Sequence, residues 1–254
     1  MSWSGGRRAP ALRHDGGESA VSKRHLFRVP DGIDDATAAA LPNPALSAWL
    51  AILWRSQLIA GESVLILGAT GVTGKFAVQL AKLHGAARVV AVGRNKQVIQ
   101  TLPELGADSV ISLDKLDGEL KNAFLAETKQ KPFDIVLDYL WGQPAEVLLD
   151  ALTGHDMTAE AHRTRYIQIG EMAGLTISLA AGTLRSTAIE MVGQGSGSVP
   201  KEVMAKISTE ILPQILKLAT QGKLRIDTEQ VPLRDVEQAW QRTDLHGKRI
   251  VIIP

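Results

Sequence analysis

The stretch Ser63-Val64-Leu65-Ile66-Leu67-Gly68-Ala69-Thr70-Gly71-Val72-Thr73-Gly74 decides how the remaining residues are read. Ser63 to Leu67 is a continuous apolar run, as a strand covered on both faces of a parallel sheet requires. Glycine then recurs at every third position, and Ala77, Val78, Leu80 and Ala81 follow at helical spacing. Strand, glycine turn and helix in that order suit a dinucleotide. Glycine permits the sharp turn and the close approach of a pyrophosphate, whose oxygens meet the free N–H groups at the positive helix end. The spacing G-x-x-G-x-x-G is one residue longer than the commonest fingerprint. The competing reading is a glycine turn that only lets helix and strand pack.

Two other chemistries fail at this position. A phosphate loop of the G-x-x-x-x-G-K-[ST] kind would align Gly74-Lys75, but its first glycine falls on Ala69 and its hydroxyl on Phe76. A Tyr-x-x-x-Lys proton-transfer pair is absent: the residues four beyond Tyr139 and Tyr166 are Gln143 and Gly170.

Working outward, strand and helix signals alternate. Further strands are expected at Arg88–Val92, Ser109–Leu113, Phe133–Asp138, Tyr166–Ile169, Leu175–Leu179 and Ile189–Val192. Helices are expected at Lys96–Leu105, with Pro103 disturbing the last turn, and around Leu120–Glu127 and Glu146–Leu152. This alternation predicts an α/β fold with a doubly wound parallel sheet. Upstream, His25–Pro30 reads as extended, Asp34 or Asp35 as the cap of a short helix to Leu41, and Asn43–Ser56 as a second helix. Downstream come a helix over Lys201–Thr220, a strand near Leu224–Thr228, a helix near Arg234–Gln241 and a strand at Arg249–Ile253.

Composition excludes more than it selects. The 254 residues carry a net charge of +1, which gives no reason to expect a nucleic-acid or membrane partner. There are no cysteines, which removes disulfides, thiol catalysis and zinc sites with sulfur ligands, and fits a cytoplasmic setting. His14, His25, His84, His155, His162 and His246 show no ligand spacing and most read as surface residues, so no metal is expected. The arginines of residues 1–14 resemble a transit peptide, but no apolar core for a secretory signal accompanies them, and 1–24 reads as irregular or disordered.

The end of the second strand, Val92-Gly93-Arg94-Asn95-Lys96, selects the cofactor. NAD enzymes place an acid near here for the ribose 2′-hydroxyl, whereas NADP enzymes supply a cation. Between Gly85 and Pro103 there is no acid. Arg94 can fork onto a 2′-phosphate, with Gly93, Asn95 or Lys96 in support, so NADP(H) is the expected cofactor. A solvated surface arginine is the competing reading.

With these residues in view, the sequence resembles the medium-chain dehydrogenase/reductase superfamily, in particular its zinc-free quinone oxidoreductase branch. The resemblance rests on Val29-Pro30-Asp31-Gly32, Ala38-Ala39-Ala40-Leu41-Pro42, the Gly61–Leu67 strand, the glycine turn with Ala77–Lys82, and Leu105-Gly106-Ala107-Asp108. Asp134–Asp138 and the closing Gly247–Ile252 continue it. It implies a Rossmann sheet at residues 61–195 with remnants of a GroES-like β domain: residues 25–60 as its tail and connecting helices, and 196–254 as a helix and strands that include its closing strand. The family's amino-terminal domain is otherwise expected to be truncated.

The resemblance also implies roles. Gly68, Ala69, Thr70, Gly71, Val72, Thr73, Gly74, Gly93, Arg94 and Asn95 would hold the adenosine and pyrophosphate. Asn43, Ser47, Tyr139, Gly170 and Met172 would lie near the nicotinamide ring, with Trp141, Gly142 and Glu171 on the same strand ends; Trp141 and Met172 equally suit plain packing. The reaction implied is hydride transfer from NADPH to a quinone or conjugated carbonyl, a small-molecule substrate, in a homodimer joined near Ile189–Gly193. Tyr139 is the candidate catalytic proton donor. Two alternatives stand beside this: an NADPH-binding protein without turnover, and a fragment of a full-length reductase.

Overall fold

The structure is a computed structural model and describes residues 28–153 and 161–254. The expectations for residues 1–24, for the start of the extended piece at His25, and for His14, His25 and His155 lie outside the described residues.

The chain enters through helix α1 (Asp35–Ala40), capped by Asp34, whose carboxylate accepts from Thr37 N at 2.9 Å. Helix α2 (Pro42–Trp49) follows and continues through π-helical turns to Arg55. Then comes the alternation: β1 (Ser63–Leu67), α3 (Val72–Leu83), β2 (Arg88–Gly93), α4 (Lys96–Ile99), β3 (Ser109–Ser112), α5 (Asp117–Gln130), β4 (Ile135–Asp138), α6 (Gly142–Leu152), β5 (Arg163–Gln168), α7 (Ala181–Arg185) and β6 (Ala188–Gly193). The six strands form one parallel sheet in the order β3-β2-β1-β4-β5-β6, so the connections reverse direction between β1 and β4. This is the doubly wound Rossmann order.

Why these strands are continuous apolar runs is visible in their packing. Val64 and Ile66 of β1 point into one layer with Ala45 and Ala48 of α2 and Phe76 and Leu80 of α3. Leu65 and Leu67 point into the other, with Phe124 of α5 and Leu148 of α6. Both faces are covered, so Val64 to Leu67 are apolar throughout, and each buried aliphatic contributes about 1.5–3 kcal/mol.

The remainder is smaller. Helix α8 (Lys201–Lys206) passes through a π turn into α9 (Leu212–Thr220), which packs Leu212, Ile215 and Leu216 into the first layer. Strand β7 (Thr228–Pro232), helix α10 (Val236–Trp240) and strand β8 (Arg249–Ile253) complete the chain. Strands β7 and β8 pair in parallel as a separate two-stranded sheet, and Val251 packs on Ala36 and Ala40 of α1.

Several expectations need correction. Leu175–Leu179 is not a strand: β5 already pairs with β6, and this segment packs Ile177 and Leu179 as irregular chain with Ser178 N held by Glu146 Oε1 at 2.6 Å. Strand β5 begins at Arg163, not Tyr166, because its first residues are satisfied sideways: Arg163 by Glu190 of β6, and Thr164 Oγ1 by the Phe133 carbonyl at 2.7 Å. The strand expected at Leu224–Thr228 starts at Thr228, while Leu224 is buried in the first layer. The Lys201–Thr220 helix changes pitch before Pro213, which has no N–H to give to the preceding turn. The segment from Lys96 is regular only to Ile99, with a separate 3₁₀ turn at Pro103–Leu105. Residues 28–30 form no strand.

Candidate cofactor-binding site

Strand register assembles the site. Leu67 lies beside Val92 on one side and Asp138 on the other, Asp138 beside Gln168, and Gln168 beside Gly193. The carboxyl ends of β2, β1, β4, β5 and β6 therefore share one rim. The residues that follow them, Arg94, Gly68, Tyr139, Ile169 and Gln194, line up along it. A ligand in such a sheet lies outside this rim, at the reversal between β1 and β4.

The glycine turn is built as its sequence demands. Gly68 has φ +89, a conformation L side chains rarely adopt. A Cβ on Gly74 would stand 2.3 Å from the Gly68 carbonyl oxygen, so helix and loop meet there as only glycine allows. Gly71 differs: its nearest neighbour for a Cβ is that same oxygen at 3.4 Å, and the residue is exposed. Gly71 is also the N-cap of α3 and brings no side chain to it. The N–H groups of Val72, Thr73 and Gly74 are thus first-turn donors without an intrahelical acceptor, beside an open glycine. Both readings of the motif hold at different positions, packing at Gly74 and access at Gly71. Thr70 turns its side chain onto Gly93, where a Cβ would stand 2.3 Å from Thr70 Cγ2, so the two sequence motifs are in contact.

At the end of β2, Arg94 is exposed and makes no ion pair among the described residues, whereas Lys96 pairs with Asp114. Lys75, in the first turn of α3, is committed to Asp227 and to the Gly247 carbonyl at 3.5 Å. Asn95 caps α4, with Oδ1 accepting from Gln97 N at 3.0 Å and Val98 N at 2.9 Å.

At the other end of the rim a cavity of ≈ 440 Å³ is lined by Gln168, Gly170, Glu171, Gly193, Gln194 and Ser198. Gln194 is 6% exposed; its Nε2 donates to the Ser47 carbonyl at 3.0 Å, and its Oε1 has no partner among the described residues. This ties α2, carrying Ser47 and the exposed Asn43 one turn earlier, to the cavity wall. Sequence reasoning missed Gln194; the only available signal was the Gly193–Ser198 run of glycines and serines around it.

The loops after β4 and β5 are zipped together. Ala173 N donates to the Leu140 carbonyl at 2.8 Å, and Cβ atoms on Gly142 or Gly170 would strike the opposite backbone at 2.8 and 2.4 Å. The buried Asp138 carboxylate holds the first loop, accepting from Tyr166 Oη at 2.6 Å, Leu140 N at 2.8 Å and Trp141 N at 2.9 Å. Burial raises its pKa from the ordinary aspartate value, against the opposing pull of these three hydrogen bonds. Trp141 is held at φ +56.

Met172 and Tyr139, both expected near the nicotinamide, are opposite in burial. Met172 is 85% exposed beside the cavity, with no packing to explain it. Tyr139 is 8% exposed, in the apolar layer with Leu41, Ala45 and Ala48, and its hydroxyl is buried without a partner among the described residues. Burial pushes its pKa well up. The cause is strand alternation: Ile135 and Leu137 of β4 and Tyr139 just beyond it share one face of the sheet. A hydroxyl enclosed in that layer does not present itself to a substrate as a proton donor.

Fold and rim together define a Rossmann-type α/β protein whose glycine turn lies at the carboxyl rim of its sheet. A family model described as "Zinc-binding dehydrogenase" matches residues 72–157. The chain is 29% identical over 232 residues to the "Probable NADPH-dependent quinone reductase tdiC" of Emericella nidulans, an alignment covering 87% of this chain and 62% of that protein. The crystal structure of a probable oxidoreductase from Mycobacterium abscessus superposes with a TM-score of 0.71 at 25% identity, over 92% of this chain and 67% of that one. A quinone oxidoreductase from Pseudomonas syringae gives 0.71 at 23% identity, over 91% and 69%, a likeness that speaks for the fold alone. By these matches the chain is similar to zinc-binding dehydrogenases and to a probable quinone reductase. It spans about three-fifths of the length of the tdiC protein. Among the described residues, no three His, Asp or Glu side chains converge as a metal site, and no helix is long and apolar enough to cross a membrane.

Proposed function

We propose that the chain binds NADPH along the carboxyl rim of its sheet and reduces a quinone or conjugated carbonyl. The observation that carries this reading is Arg94, exposed and without an ion pair among the described residues, on a stretch without acids and next to Gly93, which Thr70 of the open glycine turn touches. The residues fit the cofactor: free first-turn N–H groups of α3 can donate to a pyrophosphate, and Arg94 can fork onto a 2′-phosphate. When bound, the cofactor supplies the hydride. The protein's part is to position cofactor and acceptor in the cavity between β5 and β6. The tdiC relative, described as an NADPH-dependent quinone reductase, supports the choice of substrate class.

With Tyr139 enclosed, the proton that completes the reduction comes from solvent. We therefore expect a purified preparation to consume NADPH with quinones or conjugated enones, and Tyr139→Phe to retain that rate. Loss of turnover in Tyr139→Phe with NADPH binding intact would restore the tyrosine as donor. A second reading is cofactor binding without turnover. The exposure of Met172 (85%), next in sequence to the cavity-lining Glu171, favours it, because nothing described there excludes water. NADPH binding with no consumption by any acceptor of either class decides for it.

The proposal includes a homodimer that buries the outer edge of β6, the last strand of the sheet. Sedimentation is expected to show a dimer, and a monomer at micromolar concentration contradicts this. A cytoplasmic setting fits the absence of cysteine, and cell fractionation tests it.

A further inference from the structure

His246 lies 151 residues beyond Asn95, on the loop that leads into β8, yet its Nδ1 stands 2.8 Å from Asn95 Nδ2. The next residue, Gly247, presses on the glycine turn: a Cβ there would stand 2.6 Å from the Thr70 carbonyl oxygen. The loop therefore closes over the point where the glycine turn and the end of β2 meet. The Lys75 contact to the Gly247 carbonyl holds it there.

The hydrogen bonds fix the chemistry of the ring. Asn95 Oδ1 is engaged by the two backbone N–H groups of α4, so the amide cannot turn over and Nδ2 must face His246. An amide nitrogen only donates, so Nδ1 accepts. The neutral ring then carries its proton on Nε2, away from Asn95. His246 is exposed and held at φ +42, a left-handed conformation uncommon for such a residue. Nearby cations are already engaged, Lys96 with Asp114 and Arg242 with Glu229 and Asp244. Arg94 is not.

We propose that His246 is a specificity-determining residue that donates from Nε2 to the 2′-phosphate of NADPH beside Arg94. This rests on the NADPH reading above and adds to it a group from the far end of the chain. The loop thereby makes nucleotide choice depend on the correct docking of residues 243–248.

Titration calorimetry with NADPH and NADH on the wild type, His246→Ala and His246→Gln tests this. His246→Ala is expected to weaken NADPH about tenfold, as for a lost hydrogen bond to a charged group, with NADH unchanged. Gln carries a donor near the Nε2 position, so His246→Gln is expected to recover most of the loss. If the wild type prefers NADPH and His246→Ala leaves that preference intact, the inference falls while the NADPH reading stands. Equal weakening of both nucleotides also overturns it, because the loop then acts only structurally. A wild type with no preference overturns both.

Discussion

Gly74→Val is expected to cost about 3 kcal/mol of folding stability and to remove NADPH binding with it, the upper part of the range for overpacked sites. A Cβ at this position would stand 2.3 Å from the Gly68 carbonyl oxygen and 2.6 Å from Ala69 Cα. Both are backbone atoms, so no rotamer change relieves the collision. Relief requires α3 to lift from β1 or the turn to open. Either movement displaces the first-turn N–H groups and Thr70, which lies on Gly93. Gly71→Ala provides the contrast, since its Cβ meets only an oxygen at 3.4 Å. Urea denaturation of the three proteins checks the stabilities: a Gly74→Val protein within about 0.5 kcal/mol of wild type, the usual spread of a harmless surface change, would refute the packing argument.

Phe124→Ala is expected to cost about 3–5 kcal/mol, the transfer and cavity terms together for a large-to-alanine change. Phe124 is fully buried on α5, in the layer that receives Leu65, Leu67, Val90 and Val92 from the sheet. Val64, Ile66 and Phe76 fill the opposite layer, next to the glycine turn. The cavity therefore opens on the face away from α3, and the rim keeps its register. The same denaturation series should show a large loss for Phe124→Ala, with NADPH affinity of the remaining folded protein unchanged. A matching loss of affinity would mean that the two layers are coupled more tightly than their separate packing suggests.

Legibility in the sequence followed the covering of the strands. Strands β1, β2 and β4 carry the apolar runs Val64–Leu67, Val89–Val92 and Ile135–Leu137 because these residues are buried on both faces, and the strand positions could be read within a residue or two. The start of β5 was hidden because Arg163 and Arg165 are satisfied by Glu190 and by Glu62, contacts that no local pattern shows. Leu175–Leu179 misled in the opposite direction: Ile177 and Leu179 pack into the layer of α6 without any strand to pair with, while Leu175 is exposed.

The site divides in the same way. The glycine turn and Arg94 are local signals, each adjacent to a strand end, and local signals survive in sequence. Gln194 reaches Ser47 across 147 residues and His246 reaches Asn95 across 151, so neither contact leaves a mark on its neighbourhood. Tyr139 was adjacent to the rim in sequence but buried by alternation, since one residue along a strand exchanges core for cleft.

The central claim is that the rim binds NADPH through the glycine turn and Arg94. Its most direct test is a titration of NADPH and NADH, followed by nicotinamide fluorescence, with Arg94→Ala alongside the wild type. The account predicts tighter binding of NADPH than of NADH, and a loss of about 1.5–3 kcal/mol for NADPH alone in the variant, as for a charged hydrogen bond removed. Binding of neither nucleotide, or an NADPH affinity indifferent to Arg94→Ala, would contradict it.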